Sequence, residues 1–220
     1  MKPHTILLAL DSPEPARRDV KLGTETTLLA SFAAAHASDL LEAIDAIARR
    51  SPFRHMITPG GWAMSVAMTS CGAFGWVTNP SGYRYDAVDP TTEQSWPPMP
   101  ALFSALAARA ASASGFPGFS PDACLINRYQ PGAHLSLHQD RDEQDLTAPV
   151  VSVSLGLPAN FLWGGQKRAV RPIRIPLWHG DVVVWGGVDR LTFHGVSRLA
   201  DGEHPLTGAL RYNLTFRKAR

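Results

Sequence analysis

The sequence predicts a mainly β fold with flanking helices (α+β), organised as a double-stranded β-helix, or jelly roll. The first observation is a series of short segments that are rich in β-branched and aromatic residues or alternate apolar and polar positions. They cover residues 124–129, 134–138, 149–155, 181–185 and 209–216. The second is the turn dipeptides between them, such as Pro131-Gly132 and Gly164-Gly165. Short strands separated by such turns are typical of a jelly-roll or Greek-key double sheet.

Two helices are expected before these strands. Apolar residues recur at helical spacing from Asp39, with Glu42 three positions on as in a capping box, until Ser51-Pro52 stops the pattern. The second helix is expected to begin near Pro100 and to end at Gly115. Both should pack on the outside of a sheet.

Length and composition indicate one domain. With 220 residues, 45% of them hydrophobic, the chain can bury one sizeable core. We expect residues 24–220 to form a single domain, and residues 1–23, which are rich in proline and charge, to be loosely ordered. Cys71 and Cys124 do not make a disulfide framework, and we find no secretory signal or membrane-spanning segment. The expectation is a cytoplasmic monomer with no membrane partner.

The net charge of +2 does not indicate a general binder of polyanions. Any contact with nucleic acid must therefore be local. The candidates are Arg141 and a basic group of Lys167, Arg168, Arg171 and Arg174, of which Arg168 is the predicted substrate-binding residue. The alternative interpretation is a solvated basic loop.

A metal site is indicated by His138 and Asp140. Residues two apart on a strand project from the same face, about 7 Å apart between their Cα atoms, and so can bind one ion. His194 is the candidate third ligand, which would complete the two-histidine, one-carboxylate triad of non-haem Fe(II) oxygenases. The alternative is an ordinary hydrogen-bonded pair at a strand end. His179 and His204 are weaker ligand candidates than His194.

Arg211 and Arg217 lie six positions apart and therefore share one face of a predicted strand. Guanidinium groups bind carboxylates bidentately, so two of them on one face suit a dicarboxylate. We interpret the pair as a binding site for 2-oxoglutarate. The alternative is that both arginines are structural ion-pair partners.

An ordered series of motifs, which includes these residues, resembles the bacterial AlkB-type Fe(II)/2-oxoglutarate-dependent DNA dealkylases. The likeness runs from about Ser51 to Arg217. The matching stretches are Ser51-Pro-Phe-Arg, Thr58-Pro-Gly-Gly, Gly75-Trp76 through Tyr83-Arg-Tyr85, Asn127-Arg-Tyr129-Gln-Pro-Gly-Ala, Leu135-Ser-Leu-His138-Gln-Asp140-Arg-Asp142-Glu143, Val151-Ser-Val-Ser-Leu-Gly-Leu-Pro, His179-Gly-Asp-Val-Val-Val-Trp-Gly-Gly, His194-Gly and Arg211-Tyr-Asn-Leu-Thr-Phe-Arg217.

The resemblance implies a role for each residue of the co-substrate site. Asn127 and Tyr129 would join Arg211 at the far carboxylate of 2-oxoglutarate. Arg217 would lie nearer its keto-acid end, and Asn213 would assist from between the two arginines.

The resemblance also implies a nucleotide-recognition lid at about residues 75–89, N-terminal to the core strands. The substrate-binding residues that it implies are Trp76, Tyr83, Tyr85, His138 and Asp142. Trp76 and His138 would sandwich the damaged base, while Asp142 would face its amino edge. Tyr83 and Tyr85 would cover the flipped nucleotide.

The implied reaction is oxidative dealkylation of bases such as 1-methyladenine and 3-methylcytosine. Fe(II), O2 and 2-oxoglutarate would oxidise the N-alkyl group, yielding succinate, CO2 and formaldehyde. The implied partner is alkylated DNA, with single strands preferred and RNA as a further substrate. A methylated ring of this kind is cationic, which an aromatic face and a carboxylate both favour.

Two other functions are compatible with the same metal and arginine residues. One is a 2-oxoglutarate oxygenase that acts on tRNA, protein or a small molecule, although Trp76, Tyr83 and Asp142 favour a damaged base. The other is a non-catalytic binder of modified nucleic acid, or a cupin-like metal protein without oxygenase activity. Formation of succinate and formaldehyde distinguishes the three.

Overall fold

The computed structural model describes residues 18–220. Its strands are, in chain order, β1 (Val20–Lys21), β2 (Thr26–Leu29), β3 (Arg54–Ile57), β4 (Ala63–Gly72), β5 (Gly75–Asn79), β6 (Gly82–Asp86), β7 (Val88–Asp89), β8 (Gln94–Ser95), β9 (Ala123–Tyr129), β10 (Leu135–His138), β11 (Val150–Gly156), β12 (Ala159–Trp163), β13 (Ile173–Leu177), β14 (Val182–Trp185), β15 (His194–Val196) and β16 (Arg211–Arg217). The helices are α1 (Ala37–Arg50) and α2 (Ala101–Ala113), with short 3-10 turns at Ala34–His36 and Gly187–Asp189.

The strands form a double sheet. An eight-stranded sheet has the order β1-β2-β14-β11-β16-β9-β4-β3, and a four-stranded sheet has the order β10-β15-β12-β13. Their strand pairs are antiparallel. The mainly β fold with flanking helices that the sequence predicts is therefore confirmed, and the five predicted strands correspond to β9, β10, β11, β14 and β16.

Successive side chains along the strands of the larger sheet point to opposite faces, and each face packs against a different part of the protein. In β14, Val182 and Val184 belong to the core that includes both helices, whereas Val183 and Trp185 pack with residues of the smaller sheet. In β16 the outward positions include Leu214 and Phe216, and the intervening positions are polar. Because the polar face of β16 is also buried, it must line an internal cavity rather than face solvent.

The helices cover the outer face of the larger sheet. Leu40 and Ile44 of α1 and Phe103 and Leu106 of α2 join one apolar core with the outward residues of the central strands. The predicted helices are confirmed, but the capping box at Asp39 is wrong. A 3-10 turn leads directly into α1, so the helix begins two residues earlier than predicted.

The lid segment predicted at about residues 75–89 forms the β5–β6 hairpin and the short β7 strand. Its end is fixed by Asp89, a buried residue whose carboxylate pairs with Arg54 at 2.7 Å and accepts a hydrogen bond from the Ser51 hydroxyl. The C-terminal end of this segment is therefore attached to β3, at the edge of the larger sheet.

Part of the predicted N-terminal segment is described. Residues 1–17 lie outside the described residues, whereas Val20 and Lys21 pair with Leu28 and Thr27 of β2. The boundary expected between residues 23 and 24 thus falls inside an antiparallel hairpin. Among residues 18–220, no helix combines the length and the apolar character needed to cross a membrane.

Candidate metal centre and acid pocket

The site is a pocket of about 710 Å³ enclosed by the two sheets and the β5–β6 hairpin. This volume is in the range of small-molecule sites. Its floor includes the inward residues of β9 and β16, and one wall comes from β10 and β15. Trp76 and Tyr83 of the hairpin and Arg168 of the β12–β13 loop also line the pocket, and the exposure of Tyr83 and Arg168 places them at its mouth.

The three predicted metal ligands converge in this pocket. His138 ends β10 and His194 begins β15, and the two are cross-strand partners. Asp140 lies just beyond β10, with its Oδ1 3.7 Å from His138 Nε2 and its Oδ2 3.8 Å from His194 Nε2. The ligand atoms of all three residues lie within 4.8 Å of one another. An ion at about 2 Å from each donor fits this spacing with little movement.

Both histidines are oriented for metal binding by backbone carbonyls. His138 Nδ1 lies 2.8 Å from the Ser136 carbonyl oxygen, and His194 Nδ1 lies 2.9 Å from that of Thr192. A carbonyl oxygen can only accept, so each ring carries its proton on Nδ1 and directs the Nε2 lone pair to the centre. Burial lowers the pKa of His194 to about 4, and the neighbouring His138 adds to this effect. At neutral pH, His194 thus needs to lose no proton before it binds a metal.

The position directly after His194 requires a glycine, Gly195, because β15 lies close to β10 there. A Cβ added at this position would lie 2.6 Å from the Leu135 carbonyl oxygen and 3.1 Å from the Ser136 carbonyl oxygen. The close approach of β15 to β10 therefore requires a residue without a side chain. This close approach keeps the two imidazoles together, with ring centroids 4.5 Å apart.

The charge on Asp140 is maintained by Arg217. Burial opposes ionisation of Asp140, but the Arg217 guanidinium and the two imidazoles outweigh it and hold the pKa of the carboxyl well below its usual range. Arg217 reaches Asp140 Oδ2 with Nε at 2.9 Å and Nη2 at 2.8 Å. Arg217 is itself buried, and although burial favours its neutral form, Asp140 and Glu143 raise its pKa above the ordinary value. The structure thus places Arg217 beside the metal triad.

A second buried ion pair, not expected from the sequence, completes this network. Glu143 lies 3.1 Å from Arg190 and 3.4 Å from Arg217. Arg190 also donates to the backbone carbonyls of Asp140 at 2.6 Å and Ala148 at 2.9 Å. It therefore ties the segment that carries Asp140 to the turn before β15. The only signal in the sequence was the position of Glu143 close to the His138-Asp140 motif.

Tyr85 belongs to the same network, which corrects its predicted role. It is not among the residues that line the pocket. Its side chain is buried, and its hydroxyl donates to Glu143 Oε1 at 2.6 Å while accepting from Arg217 at 3.3 Å. Because Tyr85 faces inward on β6, the structure assigns it to positioning of the arginine rather than to nucleotide contact.

Arg211 is a buried cation with no carboxylate in ion-pair contact among residues 18–220, although Asp181, at a greater distance, acts to raise its pKa. It is 1% exposed, and it donates to the Ser154 hydroxyl at 2.8 Å and to the Leu157 carbonyl at 3.3 Å. No carboxylate of residues 18–220 lies within 4.0 Å of its guanidinium. Burial lowers the pKa of Arg211, yet an arginine remains charged at neutral pH. A buried charge of this kind calls for an anionic ligand.

Neighbouring donors fit a carboxylate. Tyr129 is the cross-strand partner of Arg211, and neither its hydroxyl nor Arg211 Nε makes a hydrogen bond to the described residues. Burial raises the pKa of Tyr129 above its ordinary value, so its hydroxyl remains a donor. Asn127, two residues before Tyr129 on β9, also lines the pocket. One of its amide protons is donated to Asn213, and the second can be donated to a ligand. These residues suit the far carboxylate of 2-oxoglutarate.

Asn213 lies between the two arginines, as expected, but its polar atoms are already used by the protein. Its Nδ2 donates to the Ser152 hydroxyl at 2.7 Å and to the Val153 carbonyl at 3.1 Å. Its Oδ1 accepts from Asn127 at 3.1 Å and from Thr215 at 2.9 Å. The structure therefore places Asn213 as a support for Asn127.

The predicted base-binding residues meet at the pocket mouth. Trp76 donates from Nε1 to Asp142 Oδ2 at 2.8 Å, and its ring stacks on Tyr83 with centroids 5.6 Å apart. One face of the indole is thus covered by Tyr83, and the ring also packs against apolar residues of the hairpin and of the larger sheet. The Asp142 carboxylate is exposed and has further acceptor capacity beyond the indole N–H.

Several other predicted or unexpected residues lie near the rim. Arg141 and Arg168 line the pocket, as does Trp62, which is 78% exposed and was not singled out by the sequence. His179 and His204 stack on each other, with ring centroids 4.4 Å apart, and are not part of the metal cluster found among residues 18–220.

Comparisons with known proteins agree with this geometry. Residues 25–217 match the 2OG-Fe(II) oxygenase superfamily. The chain is 58% identical over 198 residues to the alpha-ketoglutarate-dependent dioxygenase AlkB of Escherichia coli strain K12, covering 90% of this chain and 92% of the relative. It is 44% identical over 182 residues to an AlkB homolog of Caulobacter vibrioides strain NA1000, covering 82% and 81%. The solved structure of OsALKBH1 superposes with a TM-score of 0.80 at 31% identity, covering 91% of this chain and 99% of that chain.

We expect Asp140→Asn to weaken Mn(II) binding on the order of 100-fold or more, because the amide replaces a charged ligand and leaves Arg217 short of a counter-charge. Equilibrium dialysis measures the affinity. Asp145→Asn removes the same charge outside the pocket lining and should bind Mn(II) like the wild type. Equal affinity of the two variants would contradict the ligand assignment.

We expect Arg211→Met to bind 2-oxoglutarate about 10- to 150-fold more weakly, because it loses charge-assisted hydrogen bonds of about 1.5–3 kcal/mol. Methionine fills similar volume, so the fold should survive. Calorimetric titration of the Mn(II) protein measures the change. Arg198→Met, an exposed arginine on the Gly132 carbonyl, is the control. Unchanged affinity in Arg211→Met would rule out this guanidinium as the carboxylate site.

Proposed function

The chain belongs to the 2OG-Fe(II) oxygenase superfamily and, within it, to the AlkB dioxygenases, and on that premise we propose that it oxidatively removes alkyl groups from the ring nitrogens of damaged nucleobases. It is an Fe(II)- and 2-oxoglutarate-dependent dioxygenase. Its substrates are bases such as 1-methyladenine and 3-methylcytosine in nucleic acid.

This proposal is supported by the order in which three kinds of binding group follow one another along a single pocket. The innermost part holds Arg211, a buried cation suited to the far carboxylate of 2-oxoglutarate. The metal triad follows, with Asp140 ionised beside it. Trp76 and Asp142 lie at the mouth. A co-substrate, an ion and a planar cation can therefore occupy one pocket at the same time, each next to groups of suitable chemistry.

Recognition of the lesion follows from the charge of the alkylated ring. A methyl group on N1 of adenine or N3 of cytosine makes the ring cationic, and stacking on an aromatic ring such as Trp76 favours a cation by about 0.5–2 kcal/mol. The exposed carboxylate of Asp142 adds electrostatic attraction and accepts hydrogen bonds from an amino group. An undamaged base is neutral and therefore lacks the interaction between a cationic ring and the indole of Trp76.

The triad supplies binding and orientation rather than acid-base catalysis. When bound, Fe(II) with O2 and 2-oxoglutarate supplies the oxidation that converts the N-alkyl carbon to a hydroxyalkyl group, while 2-oxoglutarate becomes succinate and CO2. The hydroxymethyl product releases formaldehyde and leaves the repaired base. Asp140, His138 and His194 hold the ion on one side of the pocket, and the walls of both sheets limit access of water.

Alkylated DNA is the proposed partner, with single strands preferred and RNA as a further substrate. The triad lies inside the pocket, so a base must leave its stack to reach it, at a cost of a few kcal/mol that is lower for an unpaired or damaged base. We propose that the enzyme acts as a monomer, since one chain holds the triad, the arginines and the hairpin. Two free, buried cysteines fit the reducing cytoplasm, where we place it.

Product analysis tests this function. The protein is loaded anaerobically with Fe(II) and 2-oxoglutarate, then exposed to air with single-stranded oligonucleotides that contain 1-methyladenine or 3-methylcytosine. We expect one formaldehyde and one succinate for each base repaired. Succinate without formaldehyde on any of these oligonucleotides would indicate an oxygenase with another substrate, such as tRNA, a protein or a small molecule. Absence of both would contradict oxygenase activity.

We expect Trp76→Ala to lower kcat/KM for the methylated oligonucleotide roughly 5- to 150-fold, because stacking of a base on an aromatic ring contributes about 1–3 kcal/mol. Substrate-independent turnover of 2-oxoglutarate should change little. Trp76→Phe keeps the stacking face but loses the hydrogen bond to Asp142, and it should retain most of the activity. Equal losses in Trp76→Phe and Trp76→Ala would assign the effect to the hydrogen bond instead of the stacking.

A further inference from the structure

The loop between β12 and β13 concentrates positive charge beside the pocket. Lys167, Arg168 and Arg171 lie in this loop, Arg174 is the second residue of β13, and the sequence has no acidic residue from 146 to 180. Without these four residues, the remaining 17 basic and 19 acidic residues would give the chain a formal net charge of −2. The small positive charge of the whole protein therefore conceals a local cationic surface, here called the basic loop (residues 164–174).

The cations of the basic loop are exposed and uncompensated. All four are exposed, and none lies within 4.0 Å of a carboxylate in the part of the chain that the structure describes. The carboxylates of the adjoining turn are engaged elsewhere. Asp189 accepts from the Glu25 N–H at 2.7 Å, and Glu25 accepts from the Val188 N–H at 2.7 Å. The four cations are therefore not neutralised by the protein and can interact with an anionic ligand.

The base of the loop is held firmly. Gln166 Nε2 donates to the Val188 carbonyl at 3.0 Å and to the Thr192 hydroxyl at 3.1 Å. The backbones of Gly164 and Gly165 form hydrogen bonds of 2.9 and 3.0 Å with Phe193. The cations therefore project from a loop whose backbone is fixed, which lowers the entropy lost when they bind a ligand.

The loop is continuous with the catalytic pocket. Phe193 directly precedes the metal ligand His194, and the Arg168 guanidinium lies 5.9 Å from the centre of the Phe193 ring. Arg168 also lines the pocket. Trp76 and Tyr83 line the same pocket. A chain that leaves the pocket beside Arg168 therefore meets the loop that also carries Lys167 and Arg171, and Arg174 follows on the outward face of β13, where it alternates with the inward Ile175.

We propose that Lys167, Arg171 and Arg174 bind consecutive backbone phosphates of the nucleic-acid strand on one side of the flipped nucleotide. The partner is a polyanion with regularly spaced single charges, which neutralises separate cations along a path better than one compact anion does. This inference rests on the proposed function, which supplies the nucleic acid. It adds that affinity for the substrate depends on the length of the flanking strand and not on the lesion alone.

Salt dependence of binding measures these contacts. The Fe(II) and 2-oxoglutarate protein is titrated anaerobically, at several KCl concentrations, into fluorescent single-stranded probes with one 1-methyladenine. One probe is a trinucleotide with the lesion in the middle, and the other is a twelve-nucleotide strand. The variant Lys167→Gln/Arg171→Gln/Arg174→Gln leaves Arg168 in place. The control Arg49→Gln/Arg50→Gln/Arg109→Gln removes the same charge from α1 and α2, on the outer face of the larger sheet.

Each released counterion contributes about 0.7 to the slope of log K against log salt for a single strand. We expect the slope for the twelve-nucleotide probe to be less negative by about 2 in the loop variant than in the wild type. The loop variant should bind the trinucleotide like the wild type. The control should match the wild type on both probes. An unchanged slope, or an equal loss on both probes, would overturn the inference. Failure of the proposed function would show differently, as the lack of formaldehyde release from either probe by the wild-type enzyme.

Discussion

The contact between Asp140 and Arg217 is the interaction on which the rest of the site depends. A carboxylate buried to this degree would be protonated in an apolar pocket, and a protonated carboxyl is a poor metal ligand. Arg217 prevents this with two nitrogens within 2.9 Å of one carboxylate oxygen. The cost of burying the guanidinium is offset in turn by Glu143, and Glu143 is balanced by Arg190. Four buried charges therefore neutralise one another, and because both Arg217 contacts fall on Oδ2, neither of them engages Asp140 Oδ1.

Strand β16 shows how one element serves both stability and function. Its odd-numbered positions from Arg211 to Arg217 face the cavity, and its even-numbered positions pack under the helices. A shift of register by one residue would exchange these faces, placing Leu214 in the pocket and the arginines in the apolar core. The six paired positions with β11 and the seven with β9 fix the register from both sides. The spacing of the two arginines is thus set by the pairing of the sheet.

Periodic features could be predicted from the sequence, and features that depend on tertiary contacts could not. The alternation of β16, the turn dipeptides and the His138-Asp140 spacing carry local signals, and these indicated the double sheet and the metal triad. Tyr85 was assigned to the nucleotide because its place in the lid motif does not show whether a side chain faces in or out. Arg190 was missed because it follows no strand pattern, and its partners lie about 50 positions away in the chain. The capping box at Asp39 failed because a preceding 3-10 turn supplied another start.

The two arginines of β16 differ in how their charge is balanced. Arg217 is neutralised by Asp140 and Glu143, so its burial needs no anionic ligand. Arg211 lacks such a partner, which leaves part of the burial cost to be recovered when a carboxylate binds. On the proposed function, this charge recognises the far carboxylate of 2-oxoglutarate. The other end of the co-substrate would then lie towards the triad, so the position of Arg211 on β16 would also set the orientation in which 2-oxoglutarate binds.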